Sequence, residues 1–135
     1  MSITFFIIII VIAIIILAAI NLSSKNVPKG IDKQYFMHEW QDISLQFKDE
    51  KSRAMSVIQA DKLLDEALKC LGFKGSTMGE RLISAKNKLK HRDEVWKAHK
   101  LRNKIVHEPK YKPKEANIKE ALKGYYHTFK DLGVW

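Results

Sequence analysis

The sequence predicts an all-α protein: a small bundle of about four to five helices preceded by one transmembrane helix. Three observations carry this expectation. Residues 3–20 are an almost unbroken apolar run. The rest of the chain holds five segments whose apolar residues recur every three to four positions, and none alternates convincingly with period two. The 135 residues allow one domain of ordinary size and exclude a barrel enzyme or a two-domain dinucleotide enzyme.

The expected organisation is an anchor over residues 1–22, a linker over 23–31 and a bundle over 32–135. Residues 1–24 contain no Lys, Arg, Asp, Glu or His, so all 24 basic and 15 acidic residues follow them. In the run 3–20 only Thr4 is polar. As a helix these residues span about 27 Å, enough for a bilayer core. No basic residue precedes the run, and the adjacent Ala18 and Ala19 make no small-x-small cleavage pattern, so the segment reads as an uncleaved anchor. Lys25, Lys29 and Lys33 follow it and favour a cytoplasmic C-terminal domain. Pro28 and Gly30 punctuate the linker.

Five helices are expected after the linker. The first runs from about Asp32 to Phe47, with Tyr35, Phe36, Trp40, Ile43 and Phe47 on one face. The second runs from about Ser52 to Leu71 with an Ala54, Val57, Ile58, Leu64, Leu68 and Leu71 stripe, and Gly72 stops it. Thr77 and Glu80 form a capping box that opens a third helix from Met78 to about Leu89, with Met78, Leu82, Ala85 and Leu89 inside. Asp93 is the expected cap of a fourth helix reaching about His107, closed by Pro109. Pro113 fits the first turn of a fifth, which runs to about Asp131 with Ile118, Leu122, Tyr125, Phe129 and Leu132 inward.

Charge is concentrated. The net charge is +9, and the window 81–114 alone holds 12 Lys or Arg against 3 Asp or Glu. Such a stretch fits RNA, DNA or anionic lipid, and it fits a solvated helical face equally well. The lone Cys70 excludes an internal disulfide and a four-cysteine zinc site. No glycine-rich phosphate loop is present, and His38-Glu39 lacks the second histidine of a zincin motif. His38, His91 and His127 fall on different expected helices without metal-ligand spacing. Asp61, Asp65 and Glu66 are expected on an exposed face, available for pairing with Lys or Arg across the bundle. No metal or cofactor is expected.

Chemistry is most concentrated at the end of the fourth helix. A histidine can exchange a proton near neutral pH, and an arginine fork suits a phosphate and its developing charge. Arg102 with His107 therefore suffices for an RNA 2′-hydroxyl to attack its adjacent phosphorus without a metal. Five helical positions separate two side chains by about 140°. The pair converges only if the helix unwinds near His107, which Pro109 permits, or if two chains contribute. Read singly, Arg102 also fits a salt-bridging residue and His107 a helix C-cap.

The segment Trp96-Lys-Ala-His99-Lys-Leu-Arg102-Asn103-Lys-Ile-Val-His107-Glu108 resembles the signature of HEPN domains: Arg, a polar residue, three to five more residues, then His. Residues 60–82 resemble the helix, glycine turn and helix that precede that motif, so the resemblance covers roughly residues 33–132. It implies a helical bundle that dimerises, faces two motifs across a cleft and cleaves RNA to a 2′,3′-cyclic phosphate. Carried over, His107 is the acid–base residue, Arg102 the phosphate ligand, and Asn103 orients one of them or contacts the RNA. Lys97, Lys100, Lys104 and His99 are expected to bind RNA around them, and Trp96 to pack rather than stack on a base. Other members of the superfamily are non-catalytic binding modules. The expected partners are RNA, a second copy of the chain, the cell membrane through residues 3–20, and an antitoxin protein if the chain serves as a toxin or stress effector.

Overall fold

The computed structural model describes residues 3–24 and 30–135, with side chains over 3–19 and 30–135. Among the described residues all regular structure is helical: α1 (Ile3–Ser24), α2 (Lys33–Lys48), α3 (Arg53–Cys70), α4 (Met78–Ser84), α5 (Arg92–His107) and α6 (Glu115–Asp131). Helix α1 continues to Ser24, past the expected anchor boundary at residue 22. Much of the expected linker, residues 25–29, lies outside the described residues. The apolar side chains of α1 are exposed on every side from Ile3 to Leu17. Ile20, the last residue of the expected span, lies beyond the described side chains. Among the described residues no helix is long and apolar enough to cross a membrane.

Helices α2–α6 build the bundle, with α3 at its centre packing against each of the other four. Val57, Ala60, Leu64, Ala67 and Leu68 of α3 are fully buried. They meet Phe36 and Ile43 of α2, Leu82 of α4, Val95 and Ala98 of α5, and Tyr125 and Phe129 of α6. Trp40 joins α2 to the end of α6 through Phe129 and Trp135, each with its ring centroid 5.6 Å away. Tyr35 is the exception to the expected α2 face. It is 40% exposed and its hydroxyl donates to Glu66.

The helix ends show why the boundaries fall where they do. Gly72 has φ +83°, and the amides of Gly72 and Phe73 return to the carbonyls of Lys69 and Leu68, closing α3 as expected. Thr77 Oγ1 accepts from the Glu80 amide, as the capping box predicts. Helix α4 stops at Ser84 rather than near Leu89 because the next amides bond three residues back, Lys86 to Ile83 and Lys88 to Ala85. These tight turns still bury Ala85 and Leu89 while redirecting the chain. Asp93 is not the cap of α5 but sits within its first turn beside Glu94, where carboxylates suit the helix dipole. The segment entering α5 is instead tied to α6: Asp131 Oδ2 accepts from the amides of Lys90 and His91 at 2.8 and 3.0 Å. Pro113 precedes α6 rather than opening it, because Lys114 is extended (ψ 146°) and acts as the N-cap.

One ion pair fixes α4 to α3. Arg81 is only 7% exposed and grips Asp65 with Nε–Oδ1 at 2.5 Å and Nη2–Oδ2 at 3.1 Å, while Nη1 donates to the Gly75 carbonyl. This realises the pairing across the bundle expected for Asp65. Burial alone would raise the Asp65 pKa. The hydrogen bonds from Arg81 and Lys69 outweigh it and hold the carboxyl below its ordinary 3.8.

Two predictions follow from this packing. A Cβ at Gly124 would meet the Glu94 carbonyl oxygen at 2.9 Å and its carbon at 3.1 Å, both rigid backbone. Gly124→Ala therefore destabilises by about 1–3 kcal/mol in chemical denaturation, outweighing its helix-propensity gain of about 1 kcal/mol. The lowered Asp65 pKa stabilises the fold above the unfolded-state value near pH 4, and this contribution is lost as pH falls through the lower folded-state value. The stability gap between wild type and Asp65→Asn, read by urea unfolding, is thus largest near neutral pH and closes in acid.

Candidate functional site

Asp61 sits one turn after Val57 and one before Leu64, inside the apolar stripe of α3. The expectation that it is exposed is wrong: it is 3% exposed. A buried carboxylate persists only with donors around it, and two other helices supply them. Tyr125 of α6 donates its hydroxyl to Asp61 Oδ1 at 2.8 Å, and His99 of α5 bonds the same oxygen through Nδ1 at 2.8 Å. Arg102 Nε lies 3.6 Å from Asp61 Oδ2. An ionised carboxylate can only accept, so the His99 Nδ1 must carry a proton. Burial, followed by the charge of Asp61 and its hydrogen bond, pushes the Tyr125 pKa well above 10 and keeps the phenol a donor.

From this anchor the network reaches a cleft of about 610 Å³ between α3, α4 and α5, lined by Asp61, Thr77, Arg81, His99, Arg102 and Asn103. Arg102 Nη1 donates to Asn103 Oδ1 at 3.0 Å, and Asn103 Nδ2 lies 3.5 Å from His99 Nε2. The Arg102 Nε is buried without a hydrogen-bond partner. Trp96 packs edge-on to His99, centroids 6.0 Å apart, and belongs to the partly buried shell of the core. Three of the expected residues, Arg102, Asn103 and His99, therefore share one polar site.

The other expected residues stand elsewhere. His107 is exposed on the last turn of α5, one turn beyond Asn103, and does not line the cleft. Helix α5 runs unbroken to His107, so within one chain Arg102 and His107 stay about 140° apart. Lys97, Lys100 and Lys104 face a different groove of about 520 Å³ between α5 and α6, floored by Ala98, Leu101 and Ala121. Lys97 is paired with Glu120 at 2.8 Å, and the Lys104 ammonium lies 4.3 Å from the centroid of the Tyr111 ring. His91 and His127, expected to be scattered, are stacked with ring centroids 4.6 Å apart.

Asp61 and Tyr125 are the site residues that sequence reasoning did not single out. A signal for Asp61 exists in the sequence: it is a carboxylate at a stripe position that the flanking Val57, Leu64 and Leu68 assign to the core. Tyr125 carries no such signal, because its apolar ring accounts for its place in the α6 stripe. Its hydroxyl nevertheless matters. Tyr125→Phe removes a buried donor from a carboxylate and is expected to cost about 2 kcal/mol in equilibrium unfolding.

Comparison of this chain with known protein families, with curated proteins and with solved structures finds no match.

Proposed function

We propose that this chain is a membrane-anchored, HEPN-like endoribonuclease that acts as a homodimer, with a role as a toxin or as a defence or stress effector. The observation that carries the reading is the polar site at Arg102. The guanidinium is held between the buried Asp61 and Asn103, with His99 beside it, at a cleft on the most basic helix. An arginine placed this way is pre-organised for a phosphodiester. His107, exposed one turn away, is available to a second chain, which meets the 140° separation that one chain cannot bridge.

In this reading His107 accepts the proton of an RNA 2′-hydroxyl. The new P–O2′ bond forms as the P–O5′ bond breaks, and Arg102 stabilises the charge on the non-bridging oxygens. The departing O5′ takes a proton from a second acid, leaving a 2′,3′-cyclic phosphate and a 5′-hydroxyl. The nucleophile belongs to the substrate, so the step asks for no metal ion. His99, with its Nδ1–H held by Asp61 and its Nε2 beside Asn103, serves as that acid in its imidazolium form and gives up the Nε2 proton. Helix α1, whose described side chains from Phe5 to Leu17 are all apolar and exposed, serves as the anchor through residues 3–20, and the lysines after it hold the bundle on the cytoplasmic side.

A second reading is supported by the separation of the lysine groove from the Arg102 cleft. Here the chain is a tethered, non-catalytic module whose Lys97, Lys100 and Lys104 face binds RNA, a protein such as an antitoxin, or anionic lipid. One experiment separates the two. Labelled single-stranded RNA and DNA of matching sequence are incubated with the protein in chelator, beside Arg102→Ala, His107→Ala and His99→Ala. The enzyme cleaves RNA only, leaves cyclic-phosphate ends and loses at least about 100-fold in rate in the Arg102 and His107 variants. Binding without cleavage, weakened by neutralising Lys100 or Lys104, rejects the enzyme and supports the module.

A further inference from the structure

A second cluster of ionisable side chains lies at the opposite end of α5 from His107. The start of α5 packs beside the end of α6, which brings His91, Glu94, His127 and Asp131 together although they are distant in sequence. His127 Nδ1 bonds Glu94 Oε2 at 2.7 Å. His91 Nδ1 bonds Asp131 Oδ2 at 3.0 Å. Each carboxylate can only accept, so each imidazole carries its proton on Nδ1 and, when neutral, leaves Nε2 with a free lone pair. The rings are stacked at 4.6 Å with 36° between their planes. Ligand atoms from His91, Glu94 and His127 all lie within 4.8 Å of one another.

Two imidazoles this close, each with a carboxylate on one nitrogen, suit a shared cation. Zinc binds nitrogen at about 2.0–2.1 Å and carboxylate oxygen at about 2.0–2.2 Å. Tetrahedral ligands are then about 3.3 Å apart, so atoms within 4.8 Å of one another must close by up to about 1.5 Å. The surroundings are those of a metal-binding histidine. Asp131 is pinned by the amides of Lys90 and His91 and in turn holds the His91 ring, the carboxylate–histidine arrangement that orients a ligand and fixes its tautomer. The Asp131 side chain is only 5% exposed, while the side chains of His91 and Glu94 are 38% and 43% exposed and leave an entry path from solvent. The nearest arginine, Arg92, is engaged by its Nε with the Leu89 carbonyl. A second group, His38, Glu39 and Asp42, also has close ligand atoms. It lies on one exposed helix face with no buried residue to orient it.

We propose that His91, His127 and Glu94 form a binding site for a late first-row divalent cation of the zinc class, with Asp131 as the residue that positions His91. On binding, the ion takes the place of the proton between His127 Nδ1 and Glu94 Oε2, the His127 proton moves to Nε2, His91 ligates through Nε2, and water completes the coordination. Two imidazoles and a carboxylate favour zinc, cobalt or nickel over magnesium or calcium. The ion ties the first turn of α5 to the last turn of α6. It is independent of the Arg102 site, about 15 Å away along α5.

The test uses the full chain in detergent micelles at pH 7.5. Zinc affinity is read by competition with a chromophoric chelator, coordination by the visible absorption of the cobalt form, and the link between helices by thermal unfolding with and without zinc. The proposal expects one equivalent of zinc, a cobalt band of a four- or five-coordinate site, and a raised Tm. Affinity falls at least about tenfold in Glu94→Gln, His91→Ala and His127→Ala, and about tenfold or more in Asp131→Asn. It is unchanged in His38→Ala, His107→Ala and Cys70→Ser. Circular dichroism checks that each variant is folded. If a variant is not, the wild-type stoichiometry and cobalt spectrum decide with Glu94→Gln. No saturable zinc binding by the folded wild type overturns the site, and so does full affinity in folded Glu94→Gln or His127→Ala.

Discussion

A carboxylate in the middle of a hydrophobic core is the constraint around which this bundle is arranged. Asp61 lies at the centre of the central helix with almost no contact with water. Leaving such a group without donors would cost several kcal/mol. Its donors come from α5 and α6, through His99 and Tyr125, with Arg102 close behind. Three helices are therefore registered by one side chain. Apolar packing tolerates small slides of one helix along another, and a hydrogen-bonded carboxylate does not. The same residue that fixes the register also fixes the orientation of His99 and draws Arg102 to the edge of the cleft, so folding and site geometry share one cause.

Polar groups also organise the periphery. Helix α4, only seven residues long, is held by the two-pronged contact of Arg81 with Asp65 and by the Arg81 bond to the Gly75 carbonyl. Among the described residues the N-terminus of α5 has no side-chain cap, and Asp131 of α6 holds the amides of Lys90 and His91 just before it. In each case a charged side chain of one helix binds a second segment of the bundle, and the contacts of Arg81 with Asp65 and of Asp131 with Lys90 and His91 join residues 16 to 41 positions apart.

Helix α5 thus carries three distinct chemistries along its length and around its circumference. Its N-cap His91 and first-turn Glu94 join the histidine–carboxylate cluster. One side of its second half contributes His99, Arg102 and Asn103 to the cleft, and another presents Lys97, Lys100 and Lys104 to the groove against α6. The high positive charge of this region is therefore not one continuous patch. It is divided by the helix itself, and the ribonuclease reading rests on the cleft side while the binding reading rests on the groove side.

Helix number, most helix ends and the apolar faces were legible in the sequence, because they depend on contacts within a few residues. The Thr77 cap, the Gly72 stop and the inward Leu64, Leu68, Leu82, Tyr125 and Phe129 follow from short-range stereochemistry and from periodicity. The grouping of Arg102 and Asn103 was legible for the same reason, being a property of one helical turn. What required the tertiary structure is everything that joins residues far apart in the chain. Asp61 meets Tyr125 across 64 positions and His99 across 38, and His91 meets Asp131 across 40. Asp131 binds the amides of Lys90 and His91, just before α5, because only packing brings the end of α6 there. The sequence alone determined which faces are apolar and where each helix can begin. The fold decided which charges are buried and what they face, because a side chain's burial is set by neighbours that its own helix does not contain.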